Sequence, residues 1–121
     1  MKIYGEVAVI TGGASGIGRG TALALARSGA DIVLADIHDR RLAAVSDEIR
    51  SLGRKVLAVH CDVSCDEDVA RLADQAEAEL GPVGLVMNNA GVVLRGALEE
   101  MSIADWQWCS GIREDMRKQR R

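Results

Sequence analysis

The sequence predicts an α/β fold, a doubly wound parallel sheet with helices on both faces, and three observations predict it. Short β-branched runs alternate with helical patterns from Glu6 to Asn88. Each run is apolar at consecutive positions, as strands are when helices cover both sides of a parallel sheet. Aromatics are nearly absent (Tyr4, Trp106, Trp108 and no Phe), so the 48% hydrophobic fraction must come from Val, Leu, Ile and Ala. Aliphatic layers of that kind suit helices packed on a sheet.

The elements follow in order. Val7-Ala8-Val9-Ile10 reads as a buried strand, and Ser15 to Ser28 as a helix closed by Gly29. Ile32-Val33-Leu34-Ala35 is a second strand. Leu42, Val45, Ile49 and Leu52 then recur at helical spacing and stop at Gly53. Val56-Leu57-Ala58-Val59 is a third strand. Ser64 and Glu67 have the spacing of a capping box, opening a helix that carries Val69, Leu72, Ala76 and Leu80 and ends at Gly81-Pro82. Val83 to Met87 is a fourth strand. Right-handed crossovers wind such units into a partial Rossmann-like sheet of four strands in the order 3-2-1-4, which places the fourth at an edge. Alternation by itself also fits flavodoxin-like folds, so the choice falls to the motifs.

The 121 residues make room for one domain and one core. No apolar run approaches the ~20 residues of a membrane span, and Gly5 and Glu6 interrupt anything like a secretory signal. The expectation is a soluble, cytoplasmic protein with no membrane partner. Cys61, Cys65 and Cys109 are odd in number and share no ligand spacing, so they read as reduced thiols at packing positions. A net charge of −3 argues against nucleic acid as a partner.

The first motif is Thr11-Gly12-Gly13-Ala14-Ser15-Gly16-Ile17-Gly18, directly after strand one and opening helix one. A bound pyrophosphate needs backbone N–H groups aimed at it, a helix N-terminus and no Cβ in the way. Gly12 can make the sharp turn, Gly16 can admit the phosphates, and Gly18 can let the helix pack closely. A phosphate loop of the Gly-Lys-Ser/Thr kind is excluded, because Arg19-Gly20 follows. The bland alternative is a glycine-rich turn without ligand.

Asp36 closes strand two, 18 residues after Gly18. A carboxylate there can accept hydrogen bonds from both ribose hydroxyls of an adenosine and would repel a 2′-phosphate, which favours NAD(H) over NADP(H). A solvated Asp in a βα turn is the alternative, and Arg40 and Arg41 could accommodate a phosphate if they are more than helix surface. Asp62-Val63 follows strand three, where an adenine would lie across the sheet's edge. Asn88-Asn89-Ala90-Gly91 follows strand four; Ala90 and Gly91 keep the space beside a dinucleotide open, although Asn and Gly also favour plain turns.

Together, Thr-Gly-Gly-Ala-Ser-Gly-Ile-Gly at 11–18, Asp36, Asp62-Val63 and Asn-Asn-Ala-Gly at 88–91 resemble the classical short-chain dehydrogenase/reductase family, from about Ile3 to Trp108. The resemblance implies an NAD(P)-binding Rossmann half-domain over 1–108 and hydride transfer between nicotinamide and an alcohol or carbonyl. It implies a cytoplasmic homodimer or tetramer. It places Gly12, Ser15, Gly16, Ile17, Gly18, Asp36, Asp62, Val63, Asn89, Ala90 and Gly91 at the cofactor, while Thr11 and Asn88 or Asn89 steady the central strands.

The resemblance stops at Trp108. The family's reaction uses an Asn, a Ser and a Tyr-x-x-x-Lys pair; Arg113 stands where the Asn belongs, and the only tyrosine is Tyr4. The Ser and the Tyr-x-x-x-Lys pair belong beyond residue 121, so no catalytic residue is assigned and the chain alone is expected to be inactive. Residues 109–121 are a divergent basic tail, with Arg113, Arg117, Lys118, Arg120 and Arg121 against Glu114 and Asp115. The switch reads as a reading-frame shift with early termination; a diverged helical tail, a shortened chain, or a tail for RNA or acidic lipid are the alternatives. A non-catalytic nucleotide-binding or partner-pairing module is the rival function, and an exposed fourth strand would make the chain self-associate.

Overall fold

The computed structural model describes residues 3–14, 16–63 and 65–88, and the backbone of 92–95. The chain runs β1 (Val7–Thr11), α1 (Gly16–Arg27), β2 (Asp31–Asp36), α2 (Asp39–Ser51), β3 (Val56–His60), α3 (Asp66–Leu80), β4 (Leu85–Asn88) and β5 (Val92–Arg95). The sheet order is β3-β2-β1-β4-β5. The first four strands are parallel in the order 3-2-1-4 predicted from sequence, and β5 joins antiparallel to β4.

Strand pleat sorts one sequence into two cores. Ala8, Ile10, Ile32, Leu34, Leu85 and Met87 face α1 and α2, where Ala22, Ala26, Leu42, Val45 and Ile49 meet them. Val7, Val9, Val33, Ala35, Val59 and Val86 face the other way, toward Val69, Leu72, Ala73 and Ala76 of α3. Alternate residues of each strand thus fill opposite layers, which is why the strands read as continuous apolar runs. No helix among the described residues is long and apolar enough to cross a membrane.

Beyond one-residue shifts at strand and helix ends, three features differ from the sequence reading. β4 starts at Leu85 rather than Val83; just before it the Gly84 N–H donates to the Val7 carbonyl at 3.0 Å, and a Cβ on Gly84 would overlap the Glu6 carboxylate. The N-cap of α3 is Cys65, so Glu67 is not its third residue and the expected Ser64–Glu67 box does not describe the helix start. Ser64 itself lies outside the described residues. The fourth strand is not an edge: β5 pairs with it from Asn88↔Val92 to Leu85↔Arg95, and the terminal strands of the sheet are β3 and β5.

Candidate functional site

Because all four parallel strands point the same way, their C-terminal ends bring three connections to one edge of the sheet. These are the glycine turn after β1, the Asp36–His38 turn after β2 and the Cys61–Val63 loop after β3. In open α/β sheets this edge is where ligands bind.

The glycine turn is held by its backbone. The Gly12 N–H donates to the Ala35 carbonyl at 2.7 Å, with a longer bond from the Gly13 N–H to the same oxygen at 3.4 Å. Gly12 and Gly16 have φ of 65° and 59°, in the left-handed region that favours glycine. A Cβ on Gly16 would meet nothing within 4 Å, so the space in front of the first residue of α1 is open. Gly18 is constrained by contact instead: a Cβ there would overlap the Gly12 carbonyl oxygen and lie 3.1 Å from the Gly13 Cα. Gly13, assigned no role from sequence, fills a packing position, since its Cβ would fall 2.7 Å from Leu34 Cδ2.

Asp36 ends β2 and is only 8% exposed. Its Oδ2 accepts the Ala14 N–H at 3.2 Å and its Oδ1 accepts the His38 N–H at 3.0 Å. Its main-chain oxygen accepts the Cys61 N–H at 3.0 Å. One residue therefore ties all three connections together. Across the sheet, the Thr11 hydroxyl donates to the Met87 carbonyl at 3.4 Å, linking β1 to β4, and Asn88 is buried opposite Thr11.

Beyond β3, the Asp62 N–H donates to Asp68 Oδ2 at 2.9 Å. That bond first, and the Arg71 guanidinium beside it, hold the Asp68 carboxyl below its ordinary value. Cys61 belongs to the core on the α3 side, and burial first, then the negative charge of Asp68, pushes its thiol up to about 11. It is a packing thiol rather than a nucleophile.

Of the residues predicted to form the site, the structure gathers Gly12, Gly16, Ile17, Gly18, Asp36, Asp62 and Val63 at this one edge. Ser15, Asn89, Ala90 and Gly91 lie outside the described residues, as does the whole tail with Arg113. Two exposed apolar side chains flank the edge, Ile17 at 74% and Ile37 at 53%. Ile37 was missed because one isoleucine after a strand run looks like a frayed strand end. Asp68 was missed because nothing in Asp66-Glu67-Asp68 tells which acid reaches back to the loop.

The short chain dehydrogenase family pattern matches residues 6–112. The chain belongs to that family. Among curated relatives, tropinone reductase-like 1 of Erythroxylum coca is 44% identical over 92 residues, which cover 76% of this chain and 33% of that protein. A solved short chain dehydrogenase/reductase from Burkholderia phymatum, in complex with NAD, superposes with a TM-score of 0.73 at 41% identity, covering 98% of this chain and 42% of that one. A blue fluorescent protein from a metagenomic library, in complex with NADPH, gives 0.71 at 33% identity, covering 93% and 47%. The chain spans between 32% and 43% of the length of the curated relatives it matches. Solved structures of similar backbone thus occur with NAD and with NADPH.

Proposed function

We propose that this short-chain dehydrogenase chain binds a nicotinamide dinucleotide across the C-terminal edge of its sheet, NAD(H) in preference to NADP(H). The observation that carries the reading is Asp36: a nearly buried carboxylate on the last residue of β2, hydrogen-bonded to the turn that would cradle the pyrophosphate. The residues fit such a group. Gly16 leaves open space at a helix N-terminus, where unpaired N–H groups and the helix dipole favour phosphate. Asp36 sets a negative charge where a 2′-phosphate would have to sit. Ser15, Asn89, Ala90 and Gly91 belong to the same proposed site on sequence grounds. Ile17 and Ile37 offer apolar surface to the flat parts of the ligand.

Bound there, the nicotinamide would supply the hydride acceptor or donor for an alcohol or carbonyl. The contribution of this chain's residues is to hold and orient the cofactor. The Ser and Tyr-x-x-x-Lys pair that the family uses to move the substrate's proton do not occur among these residues. Tyr4 is 77% exposed before β1, at the end of the sheet opposite the glycine turn. General acid–base help is typically worth about 10²–10⁴-fold, so the chain alone should not turn over alcohols. A cytoplasmic location and self-association belong to the proposal, with β4 no longer the exposed surface.

Calorimetric titration of the 121-residue chain with NADH and NADPH tests the reading. NADH should bind more tightly, and a spectrophotometric assay with NAD and a simple secondary alcohol should stay at background. Preference for NADPH, or no binding of either at millimolar concentration, would refute it.

A further inference from the structure

The Cys61–Val63 loop is fastened more heavily than a connection between a strand and a helix needs. Its first residue is tied to the Asp36 carbonyl, and the Cys65 N–H donates to the Asp62 carbonyl at 2.9 Å. The Asp68 carboxylate adds a third bond from below, to the Asp62 N–H at 2.9 Å. Arg71 completes the arrangement: its Nη2 donates to Asp68 Oδ1 at 3.0 Å and to the His60 carbonyl at 3.2 Å. One guanidinium thus joins the last residue of β3 to the acid that holds Asp62.

An acid in the first turn of a helix is ordinarily explained by the helix dipole, and α3 has three of them, Asp66, Glu67 and Asp68. That explanation covers their presence but not where Asp68 points its oxygen. Its partner is the amide of a loop residue six positions earlier, outside the helix. The loop so held carries Asp62 and Val63, the two residues expected from sequence to meet the base of a bound nucleotide. We infer that Asp68, braced by Arg71, is a positioning residue for recognition of the adenine base, fixing the register in which Asp62 and Val63 meet it. This inference rests on the nucleotide-binding reading.

A structural role alone predicts that removing any first-turn acid acts alike. A positioning role predicts an effect confined to Asp68 and to the base. The test compares binding of NADH and of its hypoxanthine analogue, which differs only at the amino-bearing edge of the base, to the full chain and three variants. Asp68→Ala should weaken NADH roughly tenfold, the low end of what one hydrogen bond to a charged acceptor is worth, and bring the NADH-to-analogue ratio toward one. Asp68→Asn, which keeps one acceptor oxygen for the Asp62 N–H or for Arg71 but not both, should give an intermediate ratio. Glu67→Ala should leave both affinities unchanged, which controls for loss of a helix acid. An unchanged ratio in Asp68→Ala, or an equal loss in Glu67→Ala, overturns the positioning role while NADH binding to the unmodified chain still stands. Failure of the unmodified chain to bind either dinucleotide overturns the nucleotide reading and this inference with it.

Discussion

The Asp36 carboxylate accepts the main-chain N–H of Ala14 at 3.2 Å, so the residue proposed to choose the cofactor also closes the turn that would hold its phosphates. Ala14 is buried, so loss of the carboxylate would take away its amide's protein acceptor. Selectivity and loop geometry are therefore coupled in one side chain.

That coupling separates two substitutions usually treated as equivalent. Asp36→Ala removes the negative charge and also strands the Ala14 amide, a loss on the order of 1–3 kcal/mol for an unsatisfied buried donor. Asp36→Asn removes the charge and keeps one acceptor oxygen, enough for either the Ala14 or the His38 N–H but not both. Both should narrow the gap between NADH and NADPH in calorimetry. Urea unfolding should show Asp36→Ala the more destabilised, with Asp36→Asn between it and the unmodified chain because one of the two N–H partners is kept. Equal stability of the two would show that the Ala14 bond contributes nothing.

Two glycines of α1 invite the same substitution with opposite outcomes. A Cβ at Gly18 would overlap the Gly12 carbonyl, whereas a Cβ at Gly20 meets nothing within 4 Å. Gly18→Ala must push α1 off the turn, at a typical overpacking cost of about 1–3 kcal/mol, and should weaken NADH with it. Gly20→Ala gains ordinary helix propensity and should stabilise by about 0.5–1 kcal/mol. Denaturant midpoints of the two variants should move in opposite directions.

These contrasts mark how far the sequence could be read. The parallel order of four strands was legible because apolar runs, helical spacing and terminal glycines all agreed, and the place of Asp36 at the end of β2 was legible from the same runs. The Asp36–Ala14 and Asp62–Asp68 bonds were not, since both join a side chain to an amide whose direction only the folded loop fixes. The helix start at Asp66 escaped because Ser64 and Glu67 mimic a capping box, while Cys65 occupies the cap without a capping side-chain bond. β5 could have been suspected: Val92-Val93-Leu94 is a short apolar run three residues beyond β4, a length that suits a hairpin.

Thiol chemistry provides an independent check on the β3–α3 connection. With its thiol pushed up to about 11, Cys61 should be about one part in a thousand thiolate at pH 8. Desolvation penalises the charged form in the fold, so whatever stability the neutral thiol contributes is intact below the ordinary value of 9.0 and is lost as pH rises from there through about 11. Brief iodoacetamide treatment at pH 8 followed by peptide mass mapping should modify the half-buried Cys65 well before Cys61. Faster labelling at Cys61 would mean that the loop opens far more readily than its hydrogen bonds imply.

The antiparallel fifth strand changes what should happen at the end of the sheet. A fourth strand left at an edge would present a row of unpaired N–H and C=O groups to another chain. In the structure Leu85–Asn88 pair with Ala8–Thr11 on one side and with Val92–Arg95 on the other. The amides of residues 85–88 should therefore exchange slowly, at a rate that does not depend on protein concentration. Val93→Pro tests the cause. Val93 stands opposite Met87, and proline there cannot donate a ladder bond and resists extended pairing. The variant should release β4, speed exchange at 85–88 and raise light scattering with concentration, while the unmodified chain does neither. If the unmodified chain already exchanges quickly at 85–88 and scatters more as it is concentrated, β5 is too weakly held to guard the edge, and association through β4 stands.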